Sequence, residues 1–175
     1  ILNFDPRGFK VYSTAEATET EKRHPLLWRH WQNLPEQGYM SILDRSWYQD
    51  VSIARVEDDL SDSETLHRMN SINTFERQLT ANGYLVLKFF LHIGQKERVT
   101  ERDHWRNKHY NLLYSILDEM LEYTNTPNAP WHVVCSNDSQ AALLSVYRTV
   151  VESVKEAIQA KEKGLTISSA RGIPA

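Results

Sequence analysis

The sequence predicts an α/β domain built on a parallel sheet with helices on both faces. Three observations carry that expectation. Four β-like runs alternate with four helical patterns along the 175 residues. The runs are nearly continuous in apolar character, as strands buried on both sides are. The composition, 41% apolar and 25% charged, suits a chain of single-domain length that buries a core. Strict alternation of strand and helix then argues right-handed crossovers between parallel strands.

The first strand is predicted over residues 8–14, GFKVYST. A helix follows over residues 20–34, with Leu27, Trp31 and Leu34 on one face, and Pro35 and Gly38 stop it. The second strand, YMSIL over residues 39–43, ends at Asp44. The next helix opens with Ser61 and Glu64 at capping-box spacing, and Met69, Ile72, Phe75 and Leu79 form its buried stripe. Asn82 and Gly83 turn the chain into the third strand, residues 84–93. A third helix opens near residues 100–103 and carries Tyr110, Leu113, Leu117 and Met120. WHVVC, residues 131–135, is the fourth strand. Asn137 or Asp138 caps the last helix, whose buried face is predicted as Leu143, Tyr147, Val150, Val154 and Ile158. The domain is predicted to span residues 1–163, with 164–175 a polar tail or linker.

Composition narrows the function. A net charge of −3 excludes a globally basic nucleic-acid coat but leaves room for a local cationic pocket. Cys135 is the single cysteine, so neither a disulfide framework nor a cysteine-built zinc site is expected. No apolar run reaches the ~18 residues a membrane span needs. The chain opens without a basic lead or cleavage site, which is unlike a signal peptide. It also lacks an initiator Met, so it is expected to begin inside a longer, cytoplasmic protein. No H-E-x-x-H and no G-x-S-x-G occurs, which argues against a zinc peptidase and an α/β-hydrolase.

In a parallel α/β fold, ligands sit beyond the carboxyl ends of the strands, so the stretch SILDRSWYQD, residues 41–50, draws attention first. Asp44 at a strand end is placed to hold Mg²⁺, and Arg45 to neutralise phosphate oxygens bidentately. The plainer alternative is that Asp44 caps the next turn and pairs with Arg45. Trp47 and Tyr48 either line a phosphate channel or base site, or fill the space between helix and sheet. Lys88 interrupts an apolar strand; it reaches a phosphate or a carboxylate, or it snorkels at an edge. Arg55 and Glu57 either face the Asp44 cleft or pair on a helix surface. The basic run over residues 97–108 is either a lid over an anionic substrate or an exposed helix start.

Six blocks taken together resemble the polyphosphate kinase 2 family. They are HPLLWRHWQNLP (24–35), ILDRSWY (42–48), ARVE (54–57), INTFERQL (72–79), LVLKFFLHI (85–93) and TPNAPWHVV (126–134). The resemblance implies a three-layer, P-loop kinase fold like that of thymidylate kinases. It also implies Mg²⁺-dependent phosphoryl transfer between inorganic polyphosphate and AMP or ADP. Under it, Asp44 matches the Walker B aspartate, expected to bind metal and act in catalysis, and Arg45 the phosphate-holding arginine beside it. Trp47 and Tyr48 complete that motif. Arg55 and Glu57 match residues near the nucleotide, and Trp105, Arg106 and Asn107 match a segment after the lid, with Arg98 among the lid cations. The HPLLWRHW form of the first helix favours AMP over ADP. The family also implies a homo-oligomer, and no nucleic-acid partner is expected.

Two departures qualify the resemblance. The family's Gly-x-Asp-x-x-Gly-Lys phosphate loop is absent, and Ile1 resembles the end of the helix after it. A fragment without that loop is expected to be inactive alone. The lid is short, as if a stretch were missing between Glu97 and Arg98, and His104 separates Asp103 from Trp105, which weakens any role for Asp103. A second function class stays open at this point: a catalytically silent kinase-like domain with an assembly or scaffold role.

Overall fold

The computed structural model describes residues 5, 7–57, 60–92 and 110–165. The chain divides into two compact units, residues 1–72 and 73–175, with the division falling inside one helix.

In the first unit, β1 (Phe9–Ser13) pairs in parallel with β2 (Met40–Asp44), in a register that runs from Phe9 opposite Met40 to Ser13 opposite Asp44. The long helix expected between them is instead a 3-10 turn at Glu21–Arg23 and a single turn, α1 (Trp28–Trp31). Pro25 explains the break. The residue before a proline is pushed out of the helical region, and His24 is extended at φ −104°, ψ 163°. With so short a helix, Trp31 is 49% exposed, contrary to the packing role expected of it, and His30 takes the buried position at 2%.

After β2 comes α2 (Gln49–Glu57), a helix that the charge-rich stretch around residue 57 concealed. Next is α3 (Asp62–Ala81). The Ser61 hydroxyl accepts from the Glu64 N–H at 3.3 Å, as the capping pattern required. All four residues of the predicted stripe, Met69, Ile72, Phe75 and Leu79, are buried.

Helix α3 ends in a left-handed Gly83, φ 84°, with the Tyr84 N–H bonded to the Leu79 carbonyl at 3.1 Å and the Gly83 N–H to Thr80 at 3.1 Å. This is the double bond pattern of a glycine C-cap. In the second unit, β3 (Lys88–His92) pairs in parallel with β4 (Trp131–Cys135), Lys88 opposite Trp131. The third strand is shorter than predicted at its start. Its partner begins only after Pro130, which has no N–H for the ladder.

Helix α4 (Tyr110–Thr124) precedes β4, and α5 (Ser139–Glu162) follows and lies against it. Asp138 caps α5, accepting from the N–H groups of Gln140 at 2.9 Å and Ala141 at 3.2 Å. The face of α5 differs from expectation. Ala142, Ser153 and Ala160 are buried, whereas Leu143 and Ile158 are more than half exposed. This helix is apolar around more than half its circumference, so periodicity alone did not say which part would be covered. The described strands thus form two parallel pairs, one in each unit.

Lys88 anchors the second unit. Its ammonium donates to Glu76 Oε2 at 3.0 Å and to the Thr124 carbonyl at 2.6 Å, and it lies 5.0 Å from the centre of the Trp131 ring. Of the partners the sequence offered, the structure supplies the carboxylate. Both side chains are almost fully buried, so each needs the other to offset desolvation. Burial pushes the Lys88 pKa below the ordinary 10.5, with the Glu76 charge opposing.

Breaking this pair from one side, as Glu76→Leu, is expected to cost about 3–5 kcal/mol in urea unfolding, and Glu76→Leu with Lys88→Met to recover most of it. The sign with pH is fixed. Above 10.5 both states are neutral and the shift costs nothing, and as pH falls from 10.5 toward the lowered folded value the unfolded chain takes up the proton first. Stability from this group therefore falls with pH across that window, and the double variant is expected to lose that slope.

Candidate functional site

The carboxyl ends of β1 and β2 place Ser13 and Asp44 side by side. Ser13 Oγ donates to Asp44 Oδ2 at 3.1 Å, and the Thr14 N–H donates to the Asp44 carbonyl at 3.1 Å. Among the described residues no other hydrogen bond or ion pair reaches the Asp44 carboxylate, and none reaches the Arg45 guanidinium. Asp44 and Arg45 do not pair with each other, so the plainer reading of this dipeptide is not what the fold builds. Both are exposed.

The backbone after Asp44 is unusual. Arg45 and Ser46 are both left-handed, at φ 67° and 52°. Such a conformation costs a residue with a Cβ about 1–2 kcal/mol and persists only where its surroundings enforce it. Enforcement comes from the next residues. Trp47 and Tyr48 are 5% and 7% exposed and sit in the core of this unit, with Trp47 edge-on to His30 at 5.8 Å. Asp50, in the first turn of α2, is clamped by two residues of α1. Arg29 Nη2 donates to Asp50 Oδ1, and His30 Nε2 lies 3.0 Å from Asp50 Oδ2. Arg29 also reaches back to the Ala15 carbonyl at 2.9 Å, just beyond β1. From α3, Arg68 donates to the Asp50 carbonyl at 2.8 Å. The turn that presents Asp44 and Arg45 is therefore fastened at both ends.

The remaining predicted residues scatter. Trp47 and Tyr48 offer a ligand little ring surface; they support the turn from beneath. Arg55 Nη2 donates to Asp62 at 2.7 Å, so it forms an ion pair with the start of α3. Glu57 ends α2. Lys88 belongs to the second unit, on Glu76. Arg98, Trp105 and Arg106, with Asp103 and Asn107, lie outside the described residues. Sequence reasoning missed Ser13, Arg29, His30, Asp50 and Arg68 as parts of this corner. An acidic residue in the first turn after the strand-end Asp was the one available hint.

The donor set suits Mg²⁺. An exposed carboxylate with one oxygen unengaged, beside a hydroxyl, supplies hard oxygen ligands, and this ion takes the rest of its shell from water and phosphate.

Comparison with known proteins identifies relatives of this arrangement. The sequence profile of the polyphosphate kinase 2 family matches residues 1–162. A polyphosphate:AMP phosphotransferase of Pseudomonas syringae pv. tomato is 35% identical over 91% of this chain. An ADP-polyphosphate phosphotransferase of Rhodopseudomonas palustris is 28% identical over 89%. The crystal structure of polyphosphate kinase 2 from Arthrobacter aurescens TC1 superposes with a TM-score of 0.80 at 30% identity, covering 85% of this chain and 58% of that one. The chain spans 35% of the length of the Pseudomonas protein and 63% of the Rhodopseudomonas one.

The clamp on Asp50 has a measurable consequence. Asp50→Ala strands two largely buried cationic or hydrogen-bonding side chains and is expected to lower stability by about 3–5 kcal/mol, against a smaller loss for Asp50→Asn. Urea unfolding followed by tryptophan fluorescence checks both.

Proposed function

Because the chain belongs to the polyphosphate kinase 2 family, we propose that it forms the phosphoryl-transferring domain of a Mg²⁺-dependent polyphosphate:nucleotide phosphotransferase, with AMP favoured over ADP. The observation that carries this reading is the open Asp44 carboxylate at the carboxyl end of β2, next to an arginine that among the described residues has no acid partner. The AMP preference draws on the Pseudomonas relative, named a polyphosphate:AMP phosphotransferase, and on the HPLLWRHW segment.

Transfer of a phosphoryl group from a polyanion needs alignment and neutralised charge more than covalent help from the protein. Asp44 would hold the Mg²⁺ through its carboxylate. When bound, that ion supplies positive charge to the oxygens of donor and acceptor. Arg45, fixed by its own backbone, presents a planar guanidinium that takes two phosphate oxygens at once. Trp47 and Tyr48, buried in the core of this unit, keep the turn rigid and so fix where the two charges are presented. Arg55 and Glu57, further along α2, stand on the nucleotide side in this reading, Arg98 is among the lid cations, and Trp105 and Arg106 belong to the segment after the lid. Lys88, spent on Glu76, holds β3 in place rather than touching phosphate.

The reading carries with it the three-layer P-loop kinase-like architecture, a cytoplasmic setting and assembly into a homo-oligomer. It also calls for a phosphate-cradling loop. No Gly-x-Asp-x-x-Gly-Lys run occurs within the 175 residues, so the activity is proposed for a polypeptide that supplies one.

The test is phosphorylation of AMP and of ADP by polyphosphate, using the intact polypeptide. AMP is expected to be the better acceptor. Asp44→Asn is expected to cut turnover by at least about a hundredfold, the scale for removing one transition-state electrostatic contact, with the circular dichroism melt unchanged. Near-normal turnover of that variant rejects the metal role. No transfer by the unaltered polypeptide rejects the enzyme and leaves the silent assembly domain.

A further inference from the structure

We propose that Ser13 is the positioning residue of the Asp44 carboxylate. The proposal rests on the reading of Asp44 given above and adds to it a residue from the neighbouring strand. Directly paired residues of parallel strands share a face, and alternate residues line it. On this face Phe9 lies beside Met40, Val11 beside Ile42, and then Ser13 beside Asp44. The row is apolar until its last step, where a hydroxyl meets a carboxylate.

The contact is specific in its geometry. Ser13 Oγ donates to Asp44 Oδ2 at 3.1 Å, and the backbone bond from Thr14 to the Asp44 carbonyl holds the same two strand ends together. Among the described residues Oδ2 is tied and Oδ1 is not. An exposed aspartate otherwise moves among its rotamers. The hydroxyl selects one, and the untied oxygen is left for a cation. Both side chains are exposed, so this bond adds little to stability, and its loss is readable in metal binding without unfolding the protein.

Ser13→Ala, Ser13→Thr and Asp44→Asn are compared in the intact polypeptide by two measurements. One is the half-saturating Mg²⁺ for phosphoryl transfer. The other is Mn²⁺ binding in the presence of inorganic tripolyphosphate, followed by electron paramagnetic resonance, which needs no turnover. Ser13→Ala is expected to weaken both about tenfold, the lower end of what losing a ligand's hydrogen-bond partner does to a metal site. Its unfolding midpoint is expected to stay at the wild-type value, and Ser13→Thr, which keeps the hydroxyl, to restore both readouts. Wild-type metal affinity in Ser13→Ala beside a loss in Asp44→Asn overturns the role of Ser13 alone. A loss in Ser13→Ala that threonine does not rescue also overturns it. Wild-type affinity in Asp44→Asn overturns the reading of Asp44, and the role of Ser13 falls with it.

Discussion

The parallel register between β1 and β2 is the constraint on which the candidate site depends. Side chains alternate across a strand, so setting Ser13 opposite Asp44 also sends Phe9, Val11, Met40 and Ile42 to one face and Tyr12 and Leu43 to the other. A slip of one residue would turn the opposite face of β1 toward this row and set Tyr12 or Thr14 beside Asp44 in place of Ser13. The register thus decides which polar groups meet at the top.

Among the described residues each unit carries a buried charged cluster, and the two act differently. In the first, Asp50 gathers α1 and α3 onto the start of α2 and holds a turn whose backbone would otherwise relax. In the second, Lys88 joins Glu76 of α3, the end of α4 and the Trp131 ring of β4. Buried ion pairs of this kind contribute little net stability over a well-packed apolar substitute. We regard their value here as directional: an ammonium accepted by one carboxylate and one carbonyl leaves few other ways to seat β3.

The parts of the fold governed by near neighbours were legible in the sequence. The stripe of α3, its serine cap, its glycine stop and the aspartate cap of α5 all depend on residues within a turn of each other, and all appear as expected. The Asp44–Arg45 corner was also visible, because an apolar run ending in charge needs no distant information. The misreadings came from longer-range choices. Periodicity could not decide between Trp31 and His30 for burial, nor which arc of α5 would be covered. The contacts of Asp50 with Arg29 and His30 span about twenty residues and leave no periodic mark. Ser13 looked like the end of an ordinary strand until pairing gave it a partner.

Arg45 answers to two demands that pull apart. Its backbone sits where glycine and asparagine are at ease, while its side chain supplies the one feature those residues lack. Lysine there would keep the cation and the same steric burden. Selection for heat resistance alone therefore draws position 45 toward glycine or asparagine. On the proposed reading a continuing requirement to grip an anion keeps the guanidinium in place, so the amino acid found there reports which pressure a lineage of variants has been under.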